Sequence, residues 1–571
     1  MASTTLTAVV FALSSRPSVA ALDHVSACIS SFLDASVVIP LASACSFGSI
    51  RLLDRIWESS SSEGSESGAS WSLSQFLRTD VHYYRFQFSK SLRAAAARGD
   101  LDVVQWLLGH FSGCTADVEV VEEAARCGRR DVLELLLEYE ARGEQDETER
   151  NVVMWGGDDV ANAVKAGHGG LARWLYESTP GAERNLNRVM ELAVRQGDMS
   201  LIQWLLDEVY TAECHLPMPS MNDAAAGGHM EILQWIFEQD YGGNSDYALE
   251  GAAKNGRLDM VQWLVLKGVT KGAREAVQVA CGEGHLPVVR WLLERKLVQY
   301  PHFAVGCAIR EGHLDVVKYL HEVGISYQPS RMLIDAASCG QLGVVKWLCD
   351  KFDRGSLFSA SHGALSDNSA MDRAAGNGHW HVLEFLYSIA VSMRMTGQSG
   401  GPTCSEWALS SACALGHVEI AKWVHREFPH LRFQPSTTSM VARNGKLEVL
   451  QWLHSLPDVE WSTDVMDSAA ENGHLEVVKW LHANRREGCT ANAINYAARE
   501  GHLPIMRWLH SNCAKGFTAD VMDFAVDCEY FDVLLFLRAQ QIGGCSAAAK
   551  LFARDHRQTH ILEWLEEHYP D

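Results

Sequence analysis

The chain has 571 residues, of which 47% are apolar and 21% are charged, as in an ordinary soluble protein. Its 49 Lys and Arg against 71 Asp and Glu give a net charge of −22, which argues against nucleic acid or an anionic membrane as partner and leaves a basic partner or simple solubility as explanations. No apolar run is long enough to predict a membrane span.

The first 89 residues are predicted to form an N-terminal cap. An apolar run at residues 6–13 has no Lys or Arg before it, so a cytoplasmic location is expected, with secretion by a signal peptide left as an alternative. The stretch around Gly48 fits a degenerate repeat unit, and residues 59–70 are rich in Ser, Gly and Glu, which predicts a disordered loop. Aromatic residues between Tyr83 and Phe88 are suited to sealing the open end of a repeat array.

From Lys90 to Asp571 the chain repeats one unit. Its turn positions are spaced 28 residues apart from Gly228 to Gly340 and again from Gly445 to Arg557. A helix ending in small residues precedes each turn and an apolar-periodic helix follows it, with glycine favoured between them because a left-handed conformation costs it nothing. We predict a continuous all-α solenoid of about 16 to 17 helix-turn-helix units. The turn residues are Gly99, Gly128, Gly167, Gly197, Gly228, Gly256, Gly284, Gly312, Gly340, Gly378, Gly416, Gly445, Gly473, Gly501, Glu529 and Arg557.

Tryptophan and histidine recur at fixed places in the unit. Twelve of the 18 tryptophans stand seven residues after the turn, where a large side chain in every layer predicts a core role. Histidines follow the turn or end the second helix once per unit, whereas zinc needs about four ligands at one point. We therefore predict hydrogen bonding in turns and helix ends, and no metal site. The 15 cysteines contain no C-x-x-C pair, which predicts small buried side chains in a reducing compartment.

The run from Ala469 to Leu481, Ala-Ala-x-x-Gly-His-Leu-x-Val-Val-x-x-Leu, and its near copy from Ala497 to Leu509 resemble the ankyrin repeat. The resemblance extends from Lys90 to the C-terminus. Ankyrin units usually have about 33 residues and begin with Thr-Pro-Leu-His, whereas Asp464-Val465-Met466-Asp467 stands here. The shorter period predicts that the β-hairpin fingers of the family are trimmed or absent.

Three spacings exceed the common period. The extra length falls at residues 140–157, 353–369 and 388–406. Such insertions often contact partners, although drift in a tolerant loop explains them equally well.

No motif predicts catalysis. The chain has no nucleotide-binding glycine loop and no H-E-x-x-H, and the G-x-S-x-G letters at Gly397–Gly401 lack the flanking strand and helix that a nucleophile elbow needs. We predict no enzymatic activity and no cofactor.

Acidic residues recur five or six positions before the turn, on the first helix. The ankyrin resemblance implies that this part of the helix faces a concave groove that commonly binds partners. Several of these acids precede a Lys or Arg by four residues, which favours a purely structural ion pair. The acids without such a pair, together with two aromatic residues on the same face, are the predicted partner-binding residues. They are Asp223, Asp335, Asp372, Asp467, Tyr496, Asp523 and Phe524.

These features predict a monomeric scaffold that binds a protein partner, one with a basic segment, through the concave first-helix face and the long loops. An alternative comes from Leu22–Asp34, which faintly resembles the start of an F-box but lacks its Leu-Pro opening. That resemblance implies a substrate-receptor adaptor of a ubiquitin ligase.

Overall fold

A computed structural model describes residues 39–60, 73–141, 150–180, 184–209, 219–239, 245–298, 302–325, 327–358, 369–397, 401–513, 516–518, 521–542, 544–556 and 558–570. The chain divides into two compact units. The terminal unit comprises Met1–Asn185 together with Ala519–Asp571, and the central unit comprises Leu186–Thr518.

In the terminal unit, pairs of helices flank the turn positions. The pairs are Leu41–Cys45 with Ile50–Ser59, Val81–Arg98 with Leu101–His110, Val118–Arg126 with Arg130–Ala141, Asp159–Lys165 with Gly169–Ser178, Val521–Asp527 with Phe531–Ala539, and Ala547–Asp555 with Thr559–His568. A 3-10 turn, Leu73–Gln75, and a short helix, Phe76–Thr79, precede Val81–Arg98.

The central unit continues the same pattern. Its pairs are Leu186–Gln196 with Met199–Trp204, Met221–Gly227 with Met230–Glu238, Ala248–Lys254 with Leu258–Leu266, Ala273–Gly282 with Leu286–Glu294, His302–Glu311 with Leu314–Glu322, Pro329–Ser338 with Leu342–Lys351, Ala370–Gly376 with Trp380–Met395, Glu406–Leu415 with Val418–Glu427, Thr437–Arg443 with Leu447–His454, Asp464–Glu471 with Leu475–Asn484, and Ala491–Arg499 with Leu503–Asn512. A π-helical segment, Leu205–Val209, extends Met199–Trp204.

The turn residue has a left-handed backbone throughout the described units. Every predicted turn glycine has positive φ, from 66° at Gly256 to 86° at Gly416. Glu529, which takes the turn position without being glycine, has a φ of 59°. The predicted turn register is therefore confirmed, with Arg557 outside the described residues.

Small side chains allow the helices to stack closely. The first helix of one unit packs on the first helix of the next, for example Asp464–Glu471 on Ala491–Arg499. Paired alanines such as Ala469 and Ala470 are fully buried at these junctions. Within the described residues the strands are Thr115–Ala116 and Val152–Val153, which pair in parallel in the terminal unit. The predicted all-α fold, with fingers trimmed or absent, is confirmed.

The two ends of the chain pack together inside the terminal unit. Asp80 accepts a hydrogen bond from the Trp564 indole N–H at 2.9 Å and also caps the helix Val81–Arg98. The Tyr83 ring meets the Phe531 ring edge-on at 5.5 Å. His82 lies 3.3 Å from Glu563 and 2.9 Å from Glu567. Residues from the C-terminal helices therefore cover the aromatic cluster that was expected to seal an open end.

Some predicted features fall differently or lie outside the described residues. The predicted cap boundary between Ser89 and Lys90 falls within the helix Val81–Arg98, and this domain division remains a prediction. Two predicted loops are wrong in part, because the helix Arg354–Phe358 lies within 353–369 and the helix Trp380–Met395 continues past Ser388. Most of the polar stretch 59–70 and the F-box-like stretch lie outside the described residues.

The turn geometry predicts opposite effects for two glycine substitutions in the central unit. Gly473→Ala would force a side chain into a left-handed conformation and place its Cβ 2.8 Å from the His502 ring, so we expect a loss of about 1–2 kcal/mol or more. Gly306→Ala lies inside the helix His302–Glu311 with nothing within 4 Å, so we expect a gain of about 0.5–1 kcal/mol. Urea midpoints followed by circular dichroism measure both, and a neutral Gly473→Ala would contradict the assignment.

Candidate functional site

In seven of the described units the residue six positions before the turn accepts a hydrogen bond from the next unit of the chain. We call this residue the junction acceptor. Its side-chain oxygen receives the backbone N–H of a residue at or near the start of the next first helix. The pairs are Glu122 with Asp158 (2.8 Å), Asn222 with Tyr247 (2.9 Å), Asp372 with Ser405 (2.7 Å), Ser410 with Gln434 (3.2 Å), Asp467 with Thr490 (2.9 Å), Asn495 with Thr518 (3.0 Å) and Asp523 with Ser546 (3.1 Å).

Both carboxylate oxygens of Asp372, the most enclosed junction acceptor, accept hydrogen bonds within the chain. Its side chain is 0% exposed and accepts from the backbone N–H groups of Ser405 at 2.7 Å and Ser369 at 3.0 Å, and from the Ser405 hydroxyl at 3.0 Å. Burial raises the pKa of Asp372 above its ordinary value, and the hydrogen bonds oppose this shift. This carboxylate joins two units and has no oxygen left for a partner.

Asp467 and Asp523 make the same junction with Thr490 and Ser546. Each accepts the backbone N–H and also the hydroxyl of that residue, which itself caps the next helix. Asp467 is buried, and burial raises its pKa. Asp523 is more accessible, but both of its carboxylate oxygens accept hydrogen bonds from Ser546.

Asp223 and Asp335 stand five positions before the turn, and each has a cationic neighbour. Asp223 is buried and lies 2.6 Å from an Arg195 guanidinium nitrogen of the preceding unit. Asp335 is partly exposed and pairs with Arg331, one helical turn earlier, at 3.2 Å. Neither partner is a Lys or Arg four residues after the acid, which was the pattern considered in the sequence. Arg195 belongs to another unit, and Arg331 precedes Asp335.

The predicted aromatic residues are accessible to different degrees. Phe524 is 37% exposed. Tyr496 is half-buried, and the Arg499 guanidinium lies 5.0 Å from its ring centre. The two residues belong to different compact units, so each is treated as a separate candidate contact.

The sequence reasoning missed a second aromatic position on the first-helix side of the central unit. Tyr247, Phe303 and Trp407 each stand nine residues before the turn. Tyr247 is 62% exposed, while Arg274 and Arg373 lie over the Phe303 and Trp407 rings at 4.6 Å and 4.8 Å. The recurrence of aromatic residues at one spacing was a signal that could have identified these residues.

The tryptophan stripe is core in part only. Trp106, Trp204 and Trp564 are buried. The other nine are half-buried: Trp174, Trp235, Trp263, Trp291, Trp347, Trp423, Trp452, Trp480 and Trp508. In the central unit several meet a histidine of the preceding unit edge-on, as Trp480 meets His454 at 5.5 Å and Trp508 meets His482 at 5.1 Å. The stripe thus joins layers on the second-helix side instead of filling an enclosed core.

Histidines after the turn link successive units, as predicted. The Nε2 atom lies 2.9–3.1 Å from a carbonyl oxygen of the preceding unit for His229, His285, His313, His379 and His474. This contact explains why the ring lies directly against the preceding turn glycine, for example His474 against Gly445.

Two cysteines illustrate the chemistry of the thiols. Cys281 and Cys413 are free and buried, and burial raises the pKa of each to about 12. They therefore remain thiols near neutral pH, which makes them poor nucleophiles. Cys307 and Cys339 are only half-buried.

The residues that the structure describes assemble no metal centre. Within them, no group of three or more His, Cys, Asp or Glu side chains is placed to hold a metal ion. Residues 398–400 of the G-x-S-x-G stretch lie outside the described ranges, as do residues 142–149 and 359–368 of the other two insertions. No helix in the described ranges has the length and apolar character to cross a membrane.

Comparison with known proteins identifies the repeat. Models of ankyrin repeats match residues 190–299 and 249–331, and a further ankyrin repeat model matches residues 466–510. These matches lie in the central unit. No curated protein matches the chain.

The junction chemistry predicts unequal effects of two Asp→Asn substitutions. In Asp372→Asn the new amide NH₂ faces a backbone N–H of Ser369 or Ser405, and both groups can only donate. We therefore expect the free energy of unfolding to fall by about 1–3 kcal/mol. In Asp467→Asn one oxygen still accepts the Thr490 N–H and the Thr490 hydroxyl can rotate to accept from the amide, so we expect less than about 1 kcal/mol. Urea unfolding of both variants tests this, and equal losses would contradict it.

The raised pKa of Asp467 predicts a pH effect. Above pH 3.8 the unfolded carboxyl loses its proton while the folded one retains it, so the folded state binds more protons. The contribution of Asp467 to the unfolding free energy therefore falls as pH rises from 3.8 through the raised value. Asp467→Asn removes this loss, so its urea midpoint should improve relative to the parent over that interval. Asp315→Asn, on an exposed surface, is the control, and parallel pH profiles of parent and Asp467→Asn would refute the linkage.

Proposed function

Because the chain is an ankyrin repeat protein, and ankyrin repeats are generally protein–protein interaction modules, we propose that it binds a protein partner through the first-helix face of its central unit. The observation that carries this proposal is the ring of Tyr247, which is 62% exposed on that side. Phe303 and Trp407, at the same position of their units, are half-buried. Aromatic side chains offer a large contact area at low cost in conformational entropy and are frequent anchors of interfaces.

The partner is proposed to present a basic segment. The net charge of −22 favours the approach of a cationic chain. Arginines of the chain lie over the Phe303, Trp407 and Tyr496 rings. The exposed Tyr247 ring is proposed to receive an Arg or Lys of the partner in the same way. Asp335 supplies a partly exposed carboxylate on the first-helix side, although it already pairs with Arg331.

The proposed contact surface differs from the initial set of site residues. Asp223, Asp372 and Asp467 are buried and bonded within the chain, so they are left out. Asp523 is also committed to a junction. Tyr496 and Asp335 stay in the proposed surface, and Phe524 is proposed as a separate contact of the terminal unit. The insertions at 140–157 and 353–369 remain proposed secondary contacts, as does the part of 388–406 that follows the helix Trp380–Met395.

Charge reversal tests the basic-partner proposal. A partner would first be captured with the intact chain and identified, and its affinity measured at several salt concentrations. Asp335→Lys should weaken binding by about tenfold and flatten the salt dependence, because an attractive charge becomes repulsive. Asp315→Lys makes the same change in net charge on an exposed part of the second helix of the preceding unit and should have little effect. Identical affinities for the parent and Asp335→Lys would refute the role of Asp335.

Removal of an aromatic ring tests the contact surface itself. Tyr247→Ala should lower the affinity by about tenfold or more while leaving the unfolding midpoint nearly unchanged, because the ring is mostly exposed. Phe47→Ala removes a ring that is 66% exposed in the terminal unit and serves as the control. If the two variants bind equally well, the first-helix face at Tyr247 is not the contact.

A further inference from the structure

A cavity of about 810 Å³ lies in the terminal unit, where the two ends of the chain meet. One wall is the helix Val81–Arg98, which contributes Arg85, Phe86 and Lys90. Gln558 and the first turn of the helix Thr559–His568 form the opposite side. This volume is in the range of small-molecule sites, and most of the residues in the wall are polar or charged.

Most charged side chains in the cavity wall are already paired. Lys90 lies 3.4 Å from Glu529, and Arg93 bonds Glu119. Glu563 lies 3.3 Å from His82, and Asp117 accepts the Ser89 hydroxyl at 2.5 Å. His556 lies 3.8 Å from Asp527. Arg85 has no hydrogen-bond or ion-pair partner among the described residues, so its guanidinium is available to bind a ligand.

Two buried polar atoms beside the cavity also have no partner among the described residues. They are Gln558 Oε1 and His560 Nδ1. Burial lowers the pKa of His560, while the nearby Asp117 and Glu563 carboxylates oppose this shift. In its neutral form this imidazole can donate or accept a hydrogen bond. A buried polar group without a partner costs free energy, which a suitable ligand recovers.

The start of the last helix favours negative charge. Gln558, its N-cap residue, makes no side-chain capping bond, and the first turn of Thr559–His568 contains no acidic residue. Thr559, His560 and Ile561 all border the cavity. The amides of a first helical turn have no partner within the helix and carry partial positive charge, so they add to the charge of Arg85.

We propose that this cavity binds a small molecule bearing an oxyanion, whose negative group pairs with Arg85 and whose polar atoms meet His560 and Gln558. Phe86, Val120 and Ile561 border the cavity but are themselves buried, so polar contacts carry most of the recognition. The oxyanion is a carboxylate or a phosphate, because a guanidinium binds either one through paired hydrogen bonds. The site is separate from the first-helix face of the central unit. Its proposed ligand is anionic, whereas the partner proposed for that face is cationic.

Binding at this place would hold the two ends of the chain together. The ligand touches Val81–Arg98 on one side and Thr559–His568 on the other, so it stabilises the packing between them by mass action. The contacts between the same two ends that it would reinforce are those of Asp80 with Trp564 and of His82 with Glu567.

The test uses the intact chain and two probes, inorganic phosphate and glutarate, followed by titration calorimetry and by hydrogen exchange of both helices. We expect saturable one-to-one binding of at least one probe, together with slower exchange in Val81–Arg98 and Thr559–His568. Arg85→Gln should weaken binding by about tenfold or more, since a charge-assisted hydrogen bond is lost. Arg51→Gln removes an exposed arginine outside the cavity wall and should leave the affinity unchanged.

The outcomes separate the two ligand chemistries. Binding of phosphate alone assigns the site to phosphorylated small molecules, and binding of glutarate alone assigns it to carboxylates. Failure of both probes to bind at millimolar concentration overturns the proposal, as does binding that Arg85→Gln leaves intact. The thermal midpoint of Arg85→Gln shows whether the variant is folded. Because Arg85 has no partner among the described residues, we expect it to match the parent.

Discussion

The left-handed residue between the two helices of each unit is the constraint on which the rest of the structure depends. It reverses the chain so that the second helix folds back beside the first, and its backbone leaves no room for a Cβ beside the histidine of the next unit, as at Gly445 and His474. The same histidine returns a hydrogen bond to the unit before it. One residue therefore sets both the turn within a unit and the spacing between units.

The hydrogen bonds between units explain why the acidic pattern was an ambiguous sign of function. A carboxylate six residues before the turn can receive a backbone N–H and a hydroxyl from the next unit, as Asp467 does with Thr490. Asn495 and Ser410 make a similar junction without charge, so the junction needs a hydrogen-bond acceptor but not a carboxylate. Recognition is then left to residues the scaffold does not use, such as the exposed ring of Tyr247.

The terminal unit combines segments from both ends of the sequence. Asp80 caps one helix and binds the indole of Trp564, while Tyr83 and Phe531 bring aromatic surface together. Burial raises the pKa of the Asp532 carboxyl in this junction, with the Tyr83 hydroxyl as its hydrogen-bond partner. Both ends of the chain line the same cavity, so the proposed oxyanion site requires their association.

The sequence by itself determined the period, the turn register and the helix pairs, because glycine conformation and apolar periodicity are local properties. Even Glu529 was placed correctly at a turn by counting alone. The tertiary structure decided which polar groups are available. Asp372 and Asp335 were both predicted to bind a partner, yet Asp372 is buried and accepts hydrogen bonds from Ser405, 33 residues away, whereas Asp335 remains partly exposed. The cavity beside Arg85 was likewise beyond prediction, because its walls are separated by most of the chain and meet only when the ends pack together.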